Sequence, residues 1–308
     1  MLVRTRARWL PVPALLALAL ATALLAAPAT ATPLAPSEAQ GPAWRLGGQP
    51  CRLIGLPAAS PVGDLLPIGG PAAAGGCQGV RPGAVLQTDT GQCSFNFMFI
   101  GTDKKTGKKT RYMGTAGHCV LLSGTSDTLV TPPPAERLYR IGRGPVAKDA
   151  SGKRIGEFAY AVLADPKDFA LIRLDDNVVA SPQMCHFGGP TGINSERPPA
   201  SEIVTLHQYG QGLLISTVSP ARTLYAMGMP NPDHVYADGV VLPGDSGSGV
   251  ISDDGRAVGV AVTVGANTGP LGTLDNGTVG ITRFQPQLAR AEQALGQDLE
   301  LVTAPRLR

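Results

Sequence analysis

Short apolar or alternating segments, separated by turn residues, fill most of the chain beyond residue 84. Examples are CSFNFMFIG, KTRYMGTAGHCV, DFALIRL, RAVGVAVTVG and TVGITRF. Many short strands bounded by glycine, aspartate or asparagine are typical of β-sandwiches and β-barrels, so the sequence predicts an all-β fold. Only residues 286–297 have helical spacing, with Leu288, Ala291 and Leu295 on one face and a glycine near the end. This pattern predicts one short helix close to the carboxyl terminus.

The amino terminus has the features of an export signal. Three arginines within the first eight residues precede an apolar run over residues 12–27 and then small residues suited to cleavage. We therefore expect a signal peptide at residues 1–31 and a secreted protein, with an uncleaved anchor as the alternative. Residues 32–83 are rich in Ala, Pro and Gly and lack periodicity, which predicts a linker or pro-segment. No later apolar run is long enough to span a membrane.

The charge and cysteine content exclude several function classes. The net charge is +3 and the basic residues are scattered, which argues against a nucleic-acid partner. All five cysteines lie after residue 31, so pairing is expected in an oxidising compartment, with one cysteine left over. The cysteines and histidines lack the spacing of a zinc site. We expect no metal and no cofactor.

Three segments contain residues suited to nucleophilic catalysis: TAGHC with His118, DFALIRL with Asp168, and PGDSGSGV with Ser246. A serine hydroxyl needs a neighbouring base to become a nucleophile, and a neutral imidazole provides one near pH 7. A carboxylate on the other ring nitrogen fixes the imidazole tautomer. Asp165 is an alternative carboxylate, but it precedes a proline and is typical of a turn, whereas Asp168 leads into an apolar strand.

Between roughly residues 90 and 290, the order of these motifs resembles the chymotrypsin-like (trypsin-fold) serine proteases, in particular the secreted bacterial type. The resemblance implies two antiparallel Greek-key β-barrels with the active site in the cleft between them. The first barrel would span residues 84–182 and the second, with the helix, residues 183–297. Residues 298–308 would form a tail.

The resemblance also implies roles for individual residues. His118 would be the general base, Asp168 its orienting carboxylate and Ser246 the nucleophile, while the backbone N–H groups of Gly244 and Ser246 would form the oxyanion hole. Cys119 would pair with Cys93 on the neighbouring strand.

The pairing of the other three cysteines is left open by the sequence. A Cys51–Cys77 disulfide, with Cys185 free, is the favoured arrangement. Alternatively, Cys185 pairs with a cysteine of the amino-terminal segment and fastens that segment to the catalytic body. The chain has no IVGG-like start at a plausible processing site, so Asp245 is expected to find an internal partner rather than a freed amino terminus.

Substrate preference is predicted from the residue six positions before the nucleophile. Trypsin-like relatives carry a carboxylate there, whereas this chain has Val240, with Asp238 two positions away. A pocket without that charge favours an apolar or small side chain. Gly265 and Gly280 are candidate wall residues of the pocket.

These observations predict a secreted serine endopeptidase that acts on protein or peptide substrates as a monomer. One alternative is a catalytically silent binding module with the same fold. A second is a serine esterase or an enzyme that processes only its own pro-segment, and a third makes the amino-terminal stretch a surface tether.

Overall fold

The computed structural model describes residues 77, 79–121, 135–164, 166–212, 221–263, 266–268 and 274–307. The predicted signal peptide, most of the predicted linker, Cys51, Asp165 and Gly265 lie outside these residues. Within the described ranges, no helix has the length and apolar character that a membrane crossing requires.

Strands dominate the described part of the chain, and two sheets contain all of these strands. The first sheet consists of β1 (Val85–Thr88), β2 (Gly91–Ser94), β3 (Met98–Asp103), β4 (Lys109–Thr115), β5 (Ala135–Leu138), β6 (Val146–Lys148), β7 (Arg154–Ala164), β8 (Lys167–Leu174) and β16 (Gln297–Leu301). The second consists of β9 (Ile203–Tyr209), β10 (Ala221–Met227), β11 (His234–Gly239), β12 (Gly249–Ser252), β13 (Ala257–Ala261), β14 (Ala266–Thr268) and β15 (Leu274–Arg283). The described ranges also contain two short helices, α1 (His118–Leu121) and α2 (Phe284–Leu295).

The first sheet is a curled half-barrel with the order β16-β3-β4-β8-β7-β6-β1-β2, and β5 pairs with β7. The second sheet closes on itself, because β11 pairs with both β10 and β15 and so completes a six-stranded barrel. Within each sheet, neighbouring strands pair in the antiparallel direction. The prediction of an all-β, two-barrel fold with a short carboxyl-terminal helix is confirmed.

Alternation of side chains explains why these segments form strands. In β10 the inward-facing residues Arg222, Leu224 and Ala226 are buried. The outward-facing residues Tyr225 and Met227 are exposed. A strand places successive side chains on opposite faces, so this period of two buries one face of the barrel wall. Strands β7 and β8 are instead buried along most of their length, which matches their nearly continuous apolar sequences.

Helix α2 packs on the core of the first sheet. The ring of Phe284, its first residue, lies 5.3 Å from that of Phe97 and 6.0 Å from those of Phe99 and Phe169, measured between centroids. Gly296 ends the helix with a φ of 64°, a conformation in which glycine avoids the steric cost of a Cβ atom. The chain then returns as β16 and pairs with β3, so residues 297–301, largely within the predicted tail, belong to the first sheet.

The packed body begins earlier than the predicted boundary at residue 84. Val80 forms a parallel bridge with Ala180, and both Val80 and Arg81 are buried. Near this bridge, Cys77 forms a disulfide with Cys185 at a Cα–Cα distance of 5.6 Å. The prediction that Cys185 is free and that Cys77 pairs within the linker is therefore wrong. The alternative pairing, which fastens the amino-terminal segment to the body, is present.

Candidate active site

Strands β4 and β8 place His118 and Asp168 beside each other. The two strands pair with Thr115 opposite Ala170, so His118, just beyond the end of β4, meets Asp168 near the start of β8. Asp168 Oδ1 accepts a hydrogen bond from the His118 backbone N–H at 2.9 Å, and Asp168 Oδ2 lies 2.7 Å from His118 Nδ1. A carboxylate can only accept, so Nδ1 carries the proton and Nε2 is left as the basic nitrogen.

The surroundings of His118 tune its basicity. Burial of the ring lowers the pKa of His118, whereas the negative charge of Asp168 and the hydrogen bond to it raise this pKa. The two contributions from Asp168 outweigh the burial, so the pKa lies above the ordinary value of 6.5. The ring is thus held in one tautomer and made more basic by the same carboxylate.

Ser246 lies on a turn that depends on glycine. Gly244 and Gly247 on either side of it have φ angles of 98° and 89°, which side chains with a Cβ atom rarely adopt. The N–H groups of Asp245, Gly247 and Ser248 donate to the carbonyls of Leu242, Ala261 and Asp245, respectively. Among the described residues, the N–H groups of Gly244 and Ser246 have no acceptor. They are the two N–H groups predicted to form an oxyanion hole.

A disulfide next to His118 lies against the turn that carries Ser246. Cys119 follows His118 and pairs with Cys93, as the resemblance implies. The Cys119 sulfur lies 3.9 Å from the Ser246 carbonyl oxygen and within 4.8 Å of a His118 ring nitrogen. The Cys119 sulfur therefore lies near both the His118 ring and the backbone of Ser246. Within the described part of the chain, however, no hydrogen bond joins the Ser246 hydroxyl to the His118 ring.

Cys93, His118 and Cys119 also form a cluster of three potential metal ligands within the described ranges. The two sulfurs are bonded to each other and offer no thiolate, which is the form that binds a metal. This cluster does not fit a metal site.

Asp245 has an internal partner, Arg222 of β10, with which it forms an ion pair. The Asp245 side chain is fully buried and that of Arg222 is 5% exposed. The carboxylate also accepts hydrogen bonds from the backbone N–H groups of Gly212, at 2.6 Å, and Leu242, at 2.8 Å. The turn that carries Ser246 is thus fixed from inside the second barrel.

Ser248 and Gln208 extend this buried network. Gln208 Nε2 donates to the Ser248 hydroxyl at 2.7 Å, and Gln208 Oε1 accepts a hydrogen bond from Arg222 at 3.3 Å. Sequence reasoning missed Arg222, although a signal was present. Arg222 shares the inward register of Leu224 and Ala226, and an arginine in that register needs a buried carboxylate.

The predicted pocket residues are only partly brought together. Val240 is half-buried, and Asp238 is exposed on β11, so its charge does not enter the barrel. Gly280 donates its N–H to the Thr263 hydroxyl at 2.6 Å and lines a cavity of about 190 Å³ that Asp168 also lines. Neither Val240 nor Ser246 lines this cavity.

Comparison with known proteins gives matches to solved structures. No protein-family model matches the chain, and no curated protein matches it. The structure is similar to Thermobifida fusca protease A, with a TM-score of 0.45 and 16% identity over 73% of this chain and 98% of that one. It is also similar to Cellulomonas bogoriensis chymotrypsin, with a TM-score of 0.45 and 16% identity over 72% of this chain and 99% of that one.

Proposed function

We propose that the protein is a secreted serine endopeptidase in which Ser246, His118 and Asp168 form the catalytic triad. The pair of contacts between His118 and Asp168 supports this proposal most strongly. One carboxylate binds both the backbone N–H and Nδ1 of the same histidine, at 2.9 and 2.7 Å. This arrangement leaves Nε2 as a base near the serine turn.

In the proposed reaction, the Ser246 hydroxyl oxygen attacks the carbonyl carbon of the scissile peptide bond, and His118 Nε2 takes the hydroxyl proton. The N–H groups of Gly244 and Ser246 stabilise the resulting oxyanion. His118 then gives its proton to the leaving amine, and an acyl-enzyme remains. Water repeats the sequence, which releases the carboxylic acid and restores Ser246.

Two features of the fold support the proposal. Asp245 is already paired with Arg222, so the serine turn has its buried counter-charge without a newly freed amino terminus. The Cys93–Cys119 disulfide fixes the residue that follows His118, and the Cys119 sulfur lies 3.9 Å from the Ser246 carbonyl oxygen. Disulfides also fit export to an oxidising compartment.

The half-buried Val240 and the exposed Asp238 favour substrates with an apolar or small side chain at the cleavage site.

A catalytically silent binding module is the second candidate, and one observation favours it. Among the described residues, the Ser246 hydroxyl makes no hydrogen bond with His118, whereas an activated serine needs that contact during attack. Catalytic hydrogen bonds are often long without a bound substrate and shorten in the reacting complex, so the geometry is compatible with both functions.

Turnover of matched peptide amides and esters distinguishes three functions: an endopeptidase, a catalytically silent binding module and an esterase. We expect the purified protein to hydrolyse unstructured protein and peptide amides, and Ser246→Ala to be inactive. Ser252→Ala is the control and should keep wild-type turnover, since Ser252 is also a buried serine with a hydrogen-bonded hydroxyl but lies at the far end of β12. Turnover of esters alone would establish an esterase, and the absence of any turnover would favour the silent module. Activity that persists in Ser246→Ala would refute the assignment of the nucleophile.

A further inference from the structure

We propose that Ser94 is a positioning residue that sets the orientation of the oxyanion-hole N–H groups. This inference rests on the proposed function. Ser94 ends β2, is fully buried and contacts the nucleophile turn through both its backbone and its side chain. Its N–H donates to the Ser246 carbonyl at 2.8 Å, and its hydroxyl donates to the Gly244 carbonyl at 2.9 Å.

The argument depends on the planarity of the peptide bond. Because a peptide unit is planar, fixing both its C=O and its N–H fixes the orientation of the whole unit. The unit joining Gly244 to Asp245 is held by Ser94 at its oxygen and by the Leu242 carbonyl at its N–H. The unit joining Ser246 to Gly247 is held by Ser94 at its oxygen and by the Ala261 carbonyl at its N–H.

These two fixed units flank the unit whose N–H belongs to Ser246. The first fixed unit also follows directly on the unit whose N–H belongs to Gly244. Ser94 supplies one of the two contacts of each fixed unit. It donates to the carbonyls of Gly244 and Ser246, and these are also the two residues whose N–H groups have no acceptor in the described structure. Its two hydrogen bonds therefore constrain the direction in which both N–H groups point.

Ser94 is itself fixed to the first sheet. Its carbonyl accepts a hydrogen bond from the Thr115 hydroxyl at 2.9 Å, and Val85 of β1 lies opposite it in the strand register. The preceding residue, Cys93, is disulfide-bonded to Cys119, which follows His118. Through Ser94, the turn that leads into β12 of the second sheet is placed relative to the turn that carries the histidine in the first.

The side-chain contact can be removed without removing the backbone contact. Ser94→Ala deletes the hydroxyl that binds Gly244 but leaves the N–H that binds Ser246. The Gly244 peptide unit is then fixed at only one end and can rotate. His118 and Asp168 are untouched, so the basicity of the histidine should not change.

The test compares wild type, Ser94→Ala and the control Ser252→Ala. Ser252 is also a buried serine whose hydroxyl is hydrogen-bonded, to Asp254 and to the Arg256 carbonyl, but it lies at the far end of β12. For each protein, we would measure kcat and KM on an ester substrate, their pH dependence, the rate of phosphonylation by a fluorophosphonate, and the thermal midpoint.

We expect Ser94→Ala to lower kcat and the phosphonylation rate by about tenfold or more, somewhat less than the complete removal of an oxyanion-hole donor. KM and the pH midpoint should stay close to wild type, and Ser252→Ala should change none of these kinetic values. If Ser94→Ala does not fold, Ser94→Gly removes the same hydroxyl with a smaller side chain. A variant without the hydroxyl that reacts at the wild-type rate, or that loses no more than Ser252→Ala, would overturn this inference alone. An unreactive wild type would overturn the proposed function together with it.

Discussion

Removal of Arg222 should destabilise the protein much more than removal of a surface arginine with the same kind of ion pair. The Arg222→Met variant leaves Asp245 as a fully buried carboxylate without its counter-charge. Breaking a buried ion pair from one side typically costs about 3–5 kcal/mol. Asp245 keeps two backbone donors, from Gly212 and Leu242, so we expect the lower end of that range, about 3 kcal/mol.

The control is Arg154→Met. Arg154 pairs with Asp175 at 2.9 Å, but the two side chains are 47% and 35% exposed. Exposed pairs of this kind contribute roughly 0–1 kcal/mol, because water screens the charges and the side chains lose entropy on pairing. The two variants therefore remove the same side chain from ion pairs that differ mainly in burial.

Urea unfolding followed by far-ultraviolet circular dichroism gives both free energies of unfolding. A chain of this size should also show a fall in Tm of roughly 5–10 °C for Arg222→Met. The double variant Arg222→Met/Asp245→Asn should recover part of the loss, since it leaves no unpaired buried charge. A loss below about 1 kcal/mol in Arg222→Met, or an equal loss in Arg154→Met, would refute the argument from burial.

Three further predictions concern the histidine, the serine turn and the amino-terminal segment. Asp168→Asn should lower kcat by about 10⁴-fold. In wild type, activity should rise with pH through a midpoint above 6.5. In the variant this midpoint should fall, because the pKa of His118 would keep the lowering effect of burial but lose the charge that raises it. An unchanged midpoint in the variant would contradict this cause. Gly247→Ala should be strongly destabilising in thermal unfolding, since φ is +89° and a Cβ would lie 2.6 Å from a backbone oxygen. The control Gly107→Ala, at φ +69° in open space, should cost only about 1 kcal/mol. Equal losses of stability in the two variants would rule out the steric argument. Cys77→Ser opens a disulfide that spans a sequence separation of 108 residues and should cost about 2–4 kcal/mol in urea unfolding, and a non-reducing peptide map without a bridge to Cys185 would contradict the pairing.

The sequence predicted those parts of the fold that depend on local pattern. Alternation and turn residues predicted an all-β chain, and the spacing of Leu288, Ala291 and Leu295 predicted a helix that the structure places at Phe284–Leu295. The PGDSGSGV segment predicted the position of the nucleophile, and the structure adds that Gly244 and Gly247 beside Ser246 have positive φ angles.

The features that the sequence did not predict depend on residues far apart in the chain. The sequence left pairing of Cys185 with the amino-terminal segment as an alternative, and the Cys77–Cys185 disulfide lies near a bridge between Val80 and Ala180 that no local pattern indicates. Strand β16 was predicted as part of a tail because its partner, β3, lies far away in the sequence, near the beginning of the described chain. Ser94 is similar, since the role we propose for it depends on a contact with a residue 150 positions further along the chain.

The location of a fluorophosphonate adduct tests the proposed triad most directly. The purified protein would be treated with the reagent, digested and mapped by mass spectrometry, with Ser246→Ala treated in parallel. The proposed triad predicts one adduct, on Ser246, that is absent from the variant and that forms faster as His118 loses its proton with rising pH. An adduct on another serine, or no adduct on a folded and fully processed wild type, would contradict it.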